Sequence, residues 1–191
     1  AYQLIGRSTC PVPKGRKEAP SLKGKMLKTT MPQHFLPLGQ GQAVFSAFSE
    51  MAIKVCEGQQ WDLNYEQASK ISIPQYFKMI ELKTAALFAS CLKIGALIGG
   101  AKEEEANHLF EFGKNTGMAF QLQDDLLDVY GEEEKFGKQQ GGDIIANKKT
   151  FLLLKAIELS NLNAYKREEL AQWLSFVPKN EKESKEKIEA V

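Results

Sequence analysis

Three aspartates lie at helical spacing within an apolar stretch of the chain, FQLQDDLLDVY. They are Asp124, Asp125 and Asp128, and Gln121 precedes them by one turn. Residues three, four and seven apart share a helix face, so these side chains should project together with Cβ atoms about 5–6 Å apart. Because like charges at this spacing repel, the pattern predicts a compensating positive group. Clustered carboxylate oxygens suit Mg²⁺, which keeps several waters and bridges to phosphate.

Two spaced lysines follow in a glycine-rich stretch, FGKQQGGDIIANKKTF. Lys138 and Lys148 supply point charges of the kind that bind phosphate, and glycines let the backbone approach a ligand closely. The aspartates alone fit either a metal site or an exposed acidic face that merely solubilises the helix. Together with the lysines they predict a metal–diphosphate site. We interpret Asp143 as fixing the loop before the next helix, and Lys149 as solvated.

The elements that must position these residues are helices, since apolar residues recur three and four apart along most of the chain. Ser72 is the expected N-cap of one helix, and Gly113 and Gly117 should interrupt and kink another. No alternation typical of strands stands out, so the predicted class is all-α with helices packed on helices. The predicted helices begin near Gln42 and then cover about 73–98, 102–130, 148–159 and 164–175.

Residues 1–41 differ from the remainder of the chain. Five of the seven prolines lie there, together with glycines and lysines and little periodicity. This composition predicts an irregular, flexible segment. We therefore expect residues 42–191 to form part of a single helical domain.

Overall composition excludes several classes of function. The 191 residues carry a formal net charge of +1, so no global field attracts nucleic acid or an anionic membrane. No apolar run is long enough to span a bilayer. The cysteines are Cys10, Cys56 and Cys91, odd in number and without a CxxC pair. This usage predicts reduced thiols and a cytoplasmic setting.

Four motifs, in order, resemble those of trans-isoprenyl diphosphate synthases, the family that includes farnesyl and geranylgeranyl diphosphate synthases. FQLQDDLLD and FGKQQGGDIIANKKTFLL resemble its second aspartate-rich motif and its downstream lysine segment. CEGQQWDLNYE resembles its GQxxD region, and YFKMIELKTAALF its helix with a Lys-Thr pair. The resemblance covers roughly 42–160. It implies an all-α isoprenoid-synthase bundle, usually a homodimer, that condenses an allylic diphosphate with isopentenyl diphosphate using Mg²⁺.

The resemblance also implies a role for each matching residue. Its metal ligands are Asp124, Asp125 and Asp128, with Asp124 the strongest candidate. The diphosphates and the reacting carbons would be contacted by Gln59, Asp62, Lys83, Thr84, Gln121, Lys138 and Lys148. Taken without the resemblance, Lys83 could snorkel to solvent, Thr84 could pack, and Gln59 and Asp62 could cap a helix end.

The family pattern is incomplete in this sequence. The family's first aspartate-rich motif and the arginines that bind isopentenyl diphosphate would precede AYQLI, residues 6–41 depart from the pattern, and the family's last helices would follow KIEAV. We therefore expect a fragment of a prenyltransferase that is weakly active or inactive alone. Product length depends largely on residues before the first motif, so farnesyl and geranylgeranyl products stay open.

Three other functions fit parts of the sequence. Class I terpene cyclases also carry aspartate-rich metal sites on α-bundles, although the Lys-Thr and GGD…NKKT segments argue against them. A non-catalytic partner subunit of a complete synthase would not need the metal-site residues. A plain helical interaction domain with an acidic stripe would bind no diphosphate.

Overall fold

The computed structural model describes residues 38–131 and 140–191, and the regular structure in these ranges is helical without a strand. The all-α prediction is therefore confirmed. No helix in these ranges is both long and apolar enough to cross a membrane. The helices are α1 (Leu38–Gln67), α2 (Ile73–Ile80), a π-helical turn (Glu81–Ala85), α3 (Ala86–Ile98), α4 (Glu103–Tyr130), α5 (Gly142–Ile145), α6 (Phe151–Ser160), α7 (Ala164–Ser175) and α8 (Glu181–Ala190).

Local sequence signals account for most helix starts. The Ser72 hydroxyl accepts from the Gln75 N–H while the Gln75 side chain accepts from the Ser72 N–H, which confirms the predicted N-cap of α2. α1 begins at Leu38 rather than at Gln42. The rest of the segment 1–41 lies outside the described residues. One helix, α5, was not predicted, because it is a single turn.

Glycines bring the helices unusually close together. The predicted interruption of α4 is wrong, because the helix runs unbroken through Gly113 and Gly117. A Cβ atom at Gly117 would lie 2.6 Å from the Ala85 Cα, and one at Gly113 would lie 2.8 Å from the Ala89 Cα. The glycines therefore allow backbone contact between α4 and the Glu81–Ile98 segment.

The buried core lies directly beside the aspartate helix. Tyr76, Met79 and Ile80 of α2 pack with Leu154 of α6, and partly buried residues of α4 complete the cluster. Within the described residues, the segment 73–98 packs against α1, α4 and α6. Leu87 of this segment is nevertheless 45% exposed.

Candidate active site

One small cavity, of about 30 Å³, collects polar side chains from several elements. One wall of the cavity is apolar and is formed by the core residues Tyr76, Met79 and Ile80 of α2. Because polar groups surrounded by such a wall are shielded from water, their mutual interactions are stronger than on an open surface. All five of the following lining residues were predicted from the sequence as site residues: Asp62 (α1), Lys83 (π-helical turn), Gln121 and Asp125 (α4), and Lys148 (before α6).

The Lys83 ammonium donates to the Asp62 carboxylate and forms an ion pair with it. Asp62 is 8% exposed, so the pair is partly desolvated. The alternative that Gln59 and Asp62 cap a helix end is wrong, because both lie well inside α1. Gln59 is exposed and does not line the cavity. Gly58 permits the pair, since a Cβ there would lie 2.3 Å from the Lys83 backbone nitrogen.

A chain of hydrogen bonds fixes Asp125, which is only 3% exposed. The Tyr76 hydroxyl donates to Asp125 Oδ2 at 2.5 Å, and Gln121 Nε2 donates to Oδ1 at 3.1 Å. The Thr84 hydroxyl in turn donates to Gln121 Oε1 at 2.8 Å. Thr84 and Gln121, predicted as site residues separately, are therefore one unit with Asp125.

Tyr76 was not singled out from the sequence. Its pKa is raised, first because burial disfavours the phenolate and then because the hydroxyl donates to Asp125. The phenol therefore remains a neutral donor at ordinary pH. One signal could have identified it: a tyrosine in an otherwise apolar, buried helix segment needs a partner for its hydroxyl.

The three aspartates do not share one environment. Neighbouring helical residues point about 100° apart, and Asp124 does not line the cavity that Asp125 lines. Asp124 is exposed and forms no hydrogen bond or ion pair with another described residue, whereas Asp128 accepts from the Asp143 N–H at 2.9 Å. Asp125 is the one of the three that lines this cavity, and the joint metal-binding role of the three aspartates stays a prediction. Among residues 38–131 and 140–191, no group of three acidic, histidine or cysteine side chains is arranged to hold a metal ion.

Lys148 forms an ion pair with Asp143 at 3.3 Å. Burial lowers the pKa of Lys148, but the carboxylates of Asp143, Asp125 and Asp62 outweigh it and raise the pKa overall. Burial raises the pKa of Asp143, and the charge of Asp128 adds to this against the opposing effect of Lys148. Lys148 therefore stays charged beside the cavity.

Lys138 and Lys149 are the other lysines that the sequence analysis named in this stretch. Lys138 lies outside the described residues. Lys149 is not simply solvated, because it lines the cavity and donates to the Glu66 backbone carbonyl at 3.3 Å. As interpreted from the sequence, Asp143 holds the loop, through its own N–H and its pairing with Lys148.

Tyr76→Phe is expected to lower the free energy of unfolding by about 1.5–3 kcal/mol, because the buried Asp125 carboxylate loses a donor and gains none. Urea unfolding followed by circular dichroism measures the change. Tyr165→Phe is the matched control, since Tyr165 is 74% exposed. Equal stability of both variants and the parent chain would show that the Tyr76–Asp125 bond contributes nothing.

A pH series provides a second readout of the same bond. The unfolded chain releases the Tyr76 proton near pH 10, whereas the folded chain keeps it, because the folded pKa is raised. The unfolded state then binds fewer protons, so stability falls as pH rises above about 10. The parent chain should lose stability there more steeply than Tyr76→Phe.

Comparison with known proteins identifies the fold to which this cavity belongs. A family model described as polyprenyl synthetase matches residues 14–191. The chain belongs to the polyprenyl synthetase family. The match begins at residue 14, inside the segment 6–41 that departs from the family's motif pattern. It also extends past residue 160, where the motif resemblance ended, to residue 191.

Curated members of the polyprenyl synthetase family resemble the chain over part of their length. The geranylgeranyl diphosphate synthase of Methanosarcina mazei is 41% identical over 110 residues, which cover 58% of this chain and 34% of the relative. The short chain isoprenyl diphosphate synthase of Methanocaldococcus jannaschii is 37% identical over 146 residues, which cover 76% of this chain and 44% of the relative. The chain thus spans less than half the length of these relatives.

Solved polyprenyl synthetase structures show the same partial overlap. A geranylgeranyl pyrophosphate synthase with 41% identity superposes with a TM-score of 0.73, covering 80% of this chain and 46% of that one. A geranylgeranyl pyrophosphate synthase from Corynebacterium glutamicum, complexed with isoprenyl diphosphate and magnesium, superposes with a TM-score of 0.72 at 28% identity. It covers 81% of this chain and 44% of that structure.

Proposed function

We propose that the protein to which this chain belongs condenses an allylic diphosphate with isopentenyl diphosphate to give farnesyl or geranylgeranyl diphosphate. The chain contributes the diphosphate-binding part of the site. The observation that carries this proposal is the cavity in which Lys83 and Lys148 flank the partly buried Thr84–Gln121–Asp125 network. Named relatives that are geranylgeranyl diphosphate synthases support it.

Lys83 and Lys148 are the cations we assign to the diphosphate oxygens. Each is already beside a carboxylate, Asp62 and Asp143 respectively, which holds the ammonium in place before the anion arrives. Lys138 is assigned the same role from the family resemblance alone. Gln59 is exposed on α1 and does not line the cavity, so we propose that it contacts substrate outside the cavity.

The charges of the cavity lining support our proposal that the site uses a metal. Six residues of the lining are charged at neutral pH, and their charges cancel formally: Asp62, Glu66, Asp125, Lys83, Lys148 and Lys149. A diphosphate with several negative charges gains little from a neutral lining, so additional positive charge must arrive with it. Mg²⁺ fits this requirement and prefers oxygen ligands.

Asp124 is the carboxylate in the motif that is free to hold such a metal, with Asp128 one turn further along the same helix face. Asp125 accepts one hydrogen bond at each oxygen, from Tyr76 and from Gln121, and is buried, so we assign it first to holding Gln121. When bound, Mg²⁺ would offset the negative charge that develops on the leaving diphosphate.

In the proposed reaction, the allylic carbon–oxygen bond breaks and its electrons leave with the diphosphate. The alkene of isopentenyl diphosphate then forms a bond to the allylic carbon, and loss of a proton restores a double bond. Lys83 and Lys148 hold the departing diphosphate, because point charges aimed at its oxygens stabilise developing negative charge. The apolar core beside the cavity excludes water that would otherwise capture the cation.

Assembly and location are proposed from the family and from the cysteines. A homodimer follows from the family resemblance. The proposed cytoplasmic location is supported by Cys56 and Cys91, which are exposed free thiols.

Product analysis tests the reaction class. The 191-residue chain is incubated with farnesyl diphosphate and Mg²⁺, with and without labelled isopentenyl diphosphate, and products are separated by chromatography. Trace elongation that requires isopentenyl diphosphate, or analogue binding without turnover, is the expected result for a partial site. A hydrocarbon formed without isopentenyl diphosphate would overturn the proposal in favour of a cyclase. Absence of both product and analogue binding would also overturn it.

A further inference from the structure

The C-terminal helix α8 buries a lysine against residues 141–150, a loop that contains the single turn α5 and leads into α6. Lys187 is 0% exposed and forms no ion pair with a described residue. Its ammonium donates to Asn147 Oδ1 at 2.8 Å and to the backbone carbonyls of Phe176 at 2.9 Å and Ile145 at 3.4 Å. An ammonium has three N–H groups, and each one here has an acceptor.

The positions of these acceptors explain why a charged group is tolerated there. The Ile145 carbonyl lies at the end of α5, and Phe176 is the C-cap of α7. Carbonyls at helix C-termini lack partners within the helix and carry partial negative charge, which favours a cation. An apolar side chain would avoid desolvation but would leave these carbonyls unpaired, so Lys187 ties two helix ends to α8.

A second contact of α8 holds the other end of the same loop. A Cβ atom at Gly141 would lie 2.5 Å from Ile188 Cδ1, so the Ile188 side chain is packed directly on the Gly141 backbone. Gly141 has a φ of 76°, which a residue with a side chain adopts only with strain. At the opposite end Asn147 has a φ of 52°, and its Nδ2 donates to the Leu174 carbonyl at 2.8 Å.

The loop held in this way contains the charged groups of the candidate site. The Gly141 N–H donates to the Asp128 carbonyl at 2.7 Å, and the Asp143 N–H donates to the Asp128 carboxylate. The Lys148 N–H donates to the Asp143 carbonyl at 2.9 Å. A shift at Gly141 or Asn147 would therefore move the Asp143–Lys148 pair relative to α4.

We propose that α8 is the clamp that sets the position of Lys148, and that Lys187 is a positioning residue that acts through Asn147. The role in anion binding rests on the proposed function, whereas the role in ordering the loop does not. The two parts can therefore be tested separately.

The test compares the parent chain with Lys187→Met, which keeps an apolar side chain of similar length and removes the ammonium. The matched control is Lys182→Met on the same helix, where the side chain is 87% exposed. Amide hydrogen exchange is measured at Asp143 and Lys148, and the dissociation constant for inorganic pyrophosphate with Mg²⁺ is measured by calorimetry. We expect faster exchange at both amides and about tenfold weaker binding for Lys187→Met only, with exchange in α2 and α3 unchanged.

Asn147→Gly is the second variant, because glycine accepts the positive φ while the link to the lysine is lost. If Lys187→Met does not fold, this variant tests the positioning role in its place. We expect the same faster exchange at Asp143 and Lys148 and the same weaker pyrophosphate binding. Parent-like exchange and affinity in the folded variants would overturn the clamp. If the parent chain binds no pyrophosphate, the proposed function fails, and the exchange data alone decide whether α8 orders the loop.

Discussion

Gly58→Ala is expected to lower the free energy of unfolding by about 3 kcal/mol, at the upper end of overpacking effects. The added Cβ would lie 2.3 Å from the Lys83 backbone nitrogen and 2.6 Å from its Cα. Both obstacles are backbone atoms, which cannot swing aside as the end of a flexible side chain can. Relief requires α1 to move away from the π-helical turn, and this would also separate Asp62 from Lys83.

Chemical unfolding of the variant measures this cost, and Gly95→Ala provides the matched control. Gly95 lies inside α3, and a Cβ added there would have nothing within 4 Å, so alanine should stabilise the chain by about 0.5–1 kcal/mol. Opposite signs for the two glycines are expected. A Gly58→Ala chain as stable as the parent would show that α1 does not approach Lys83 this closely.

Lys148→Ala is expected to weaken binding of an allylic diphosphate analogue by about 10- to 100-fold, corresponding to about 1.5–3 kcal/mol for a charged hydrogen bond. The loss has two causes. One ammonium no longer contacts the anion, and Asp143 is left without its partner beside the cavity. The formally neutral lining then becomes negative, which repels the diphosphate.

Lys155→Ala is the control for this loss, because Lys155 is also paired with a carboxylate, Glu158, but lies outside the cavity lining. Its variant should bind the analogue with the affinity of the parent chain. Equal affinity of the Lys148 and Lys155 variants would remove Lys148 from the binding site.

Residue types and helical spacing were sufficient to predict the all-α class and a shared site for Gln121, Asp125 and Lys148. The family resemblance was needed to add Asp62 and Lys83 to that site. The orientation of Asp124 and Asp125 was harder to predict, because two adjacent aspartates do not show which of them faces the core. Asp125 is buried and Asp124 is exposed, since the two lie about 100° apart on α4.

Contacts between distant segments were not visible in the sequence. Gly58, Gly113 and Gly117 each look like breaks in a helical pattern, yet they are positions where another backbone approaches. The contact of α8 with the loop depends on one lysine within a charged run, EKESKEKIEA, where periodicity carries little information. Had the burial of Tyr76 been known, a hydrogen-bond partner such as Asp125 could have been predicted for its hydroxyl.

The most direct test of the proposed half-site is calorimetric titration of the purified chain with a non-hydrolysable allylic diphosphate analogue, with and without Mg²⁺. Asp124→Ala is compared with Glu104→Ala, which removes another exposed carboxylate from the same helix. We expect binding that requires Mg²⁺ and that is lost in the Asp124 variant but kept in the Glu104 variant. Absence of binding by a chain shown to be helical, or binding that is indifferent to Mg²⁺ and to Asp124, would contradict the assignment of this cavity to a metal–diphosphate site.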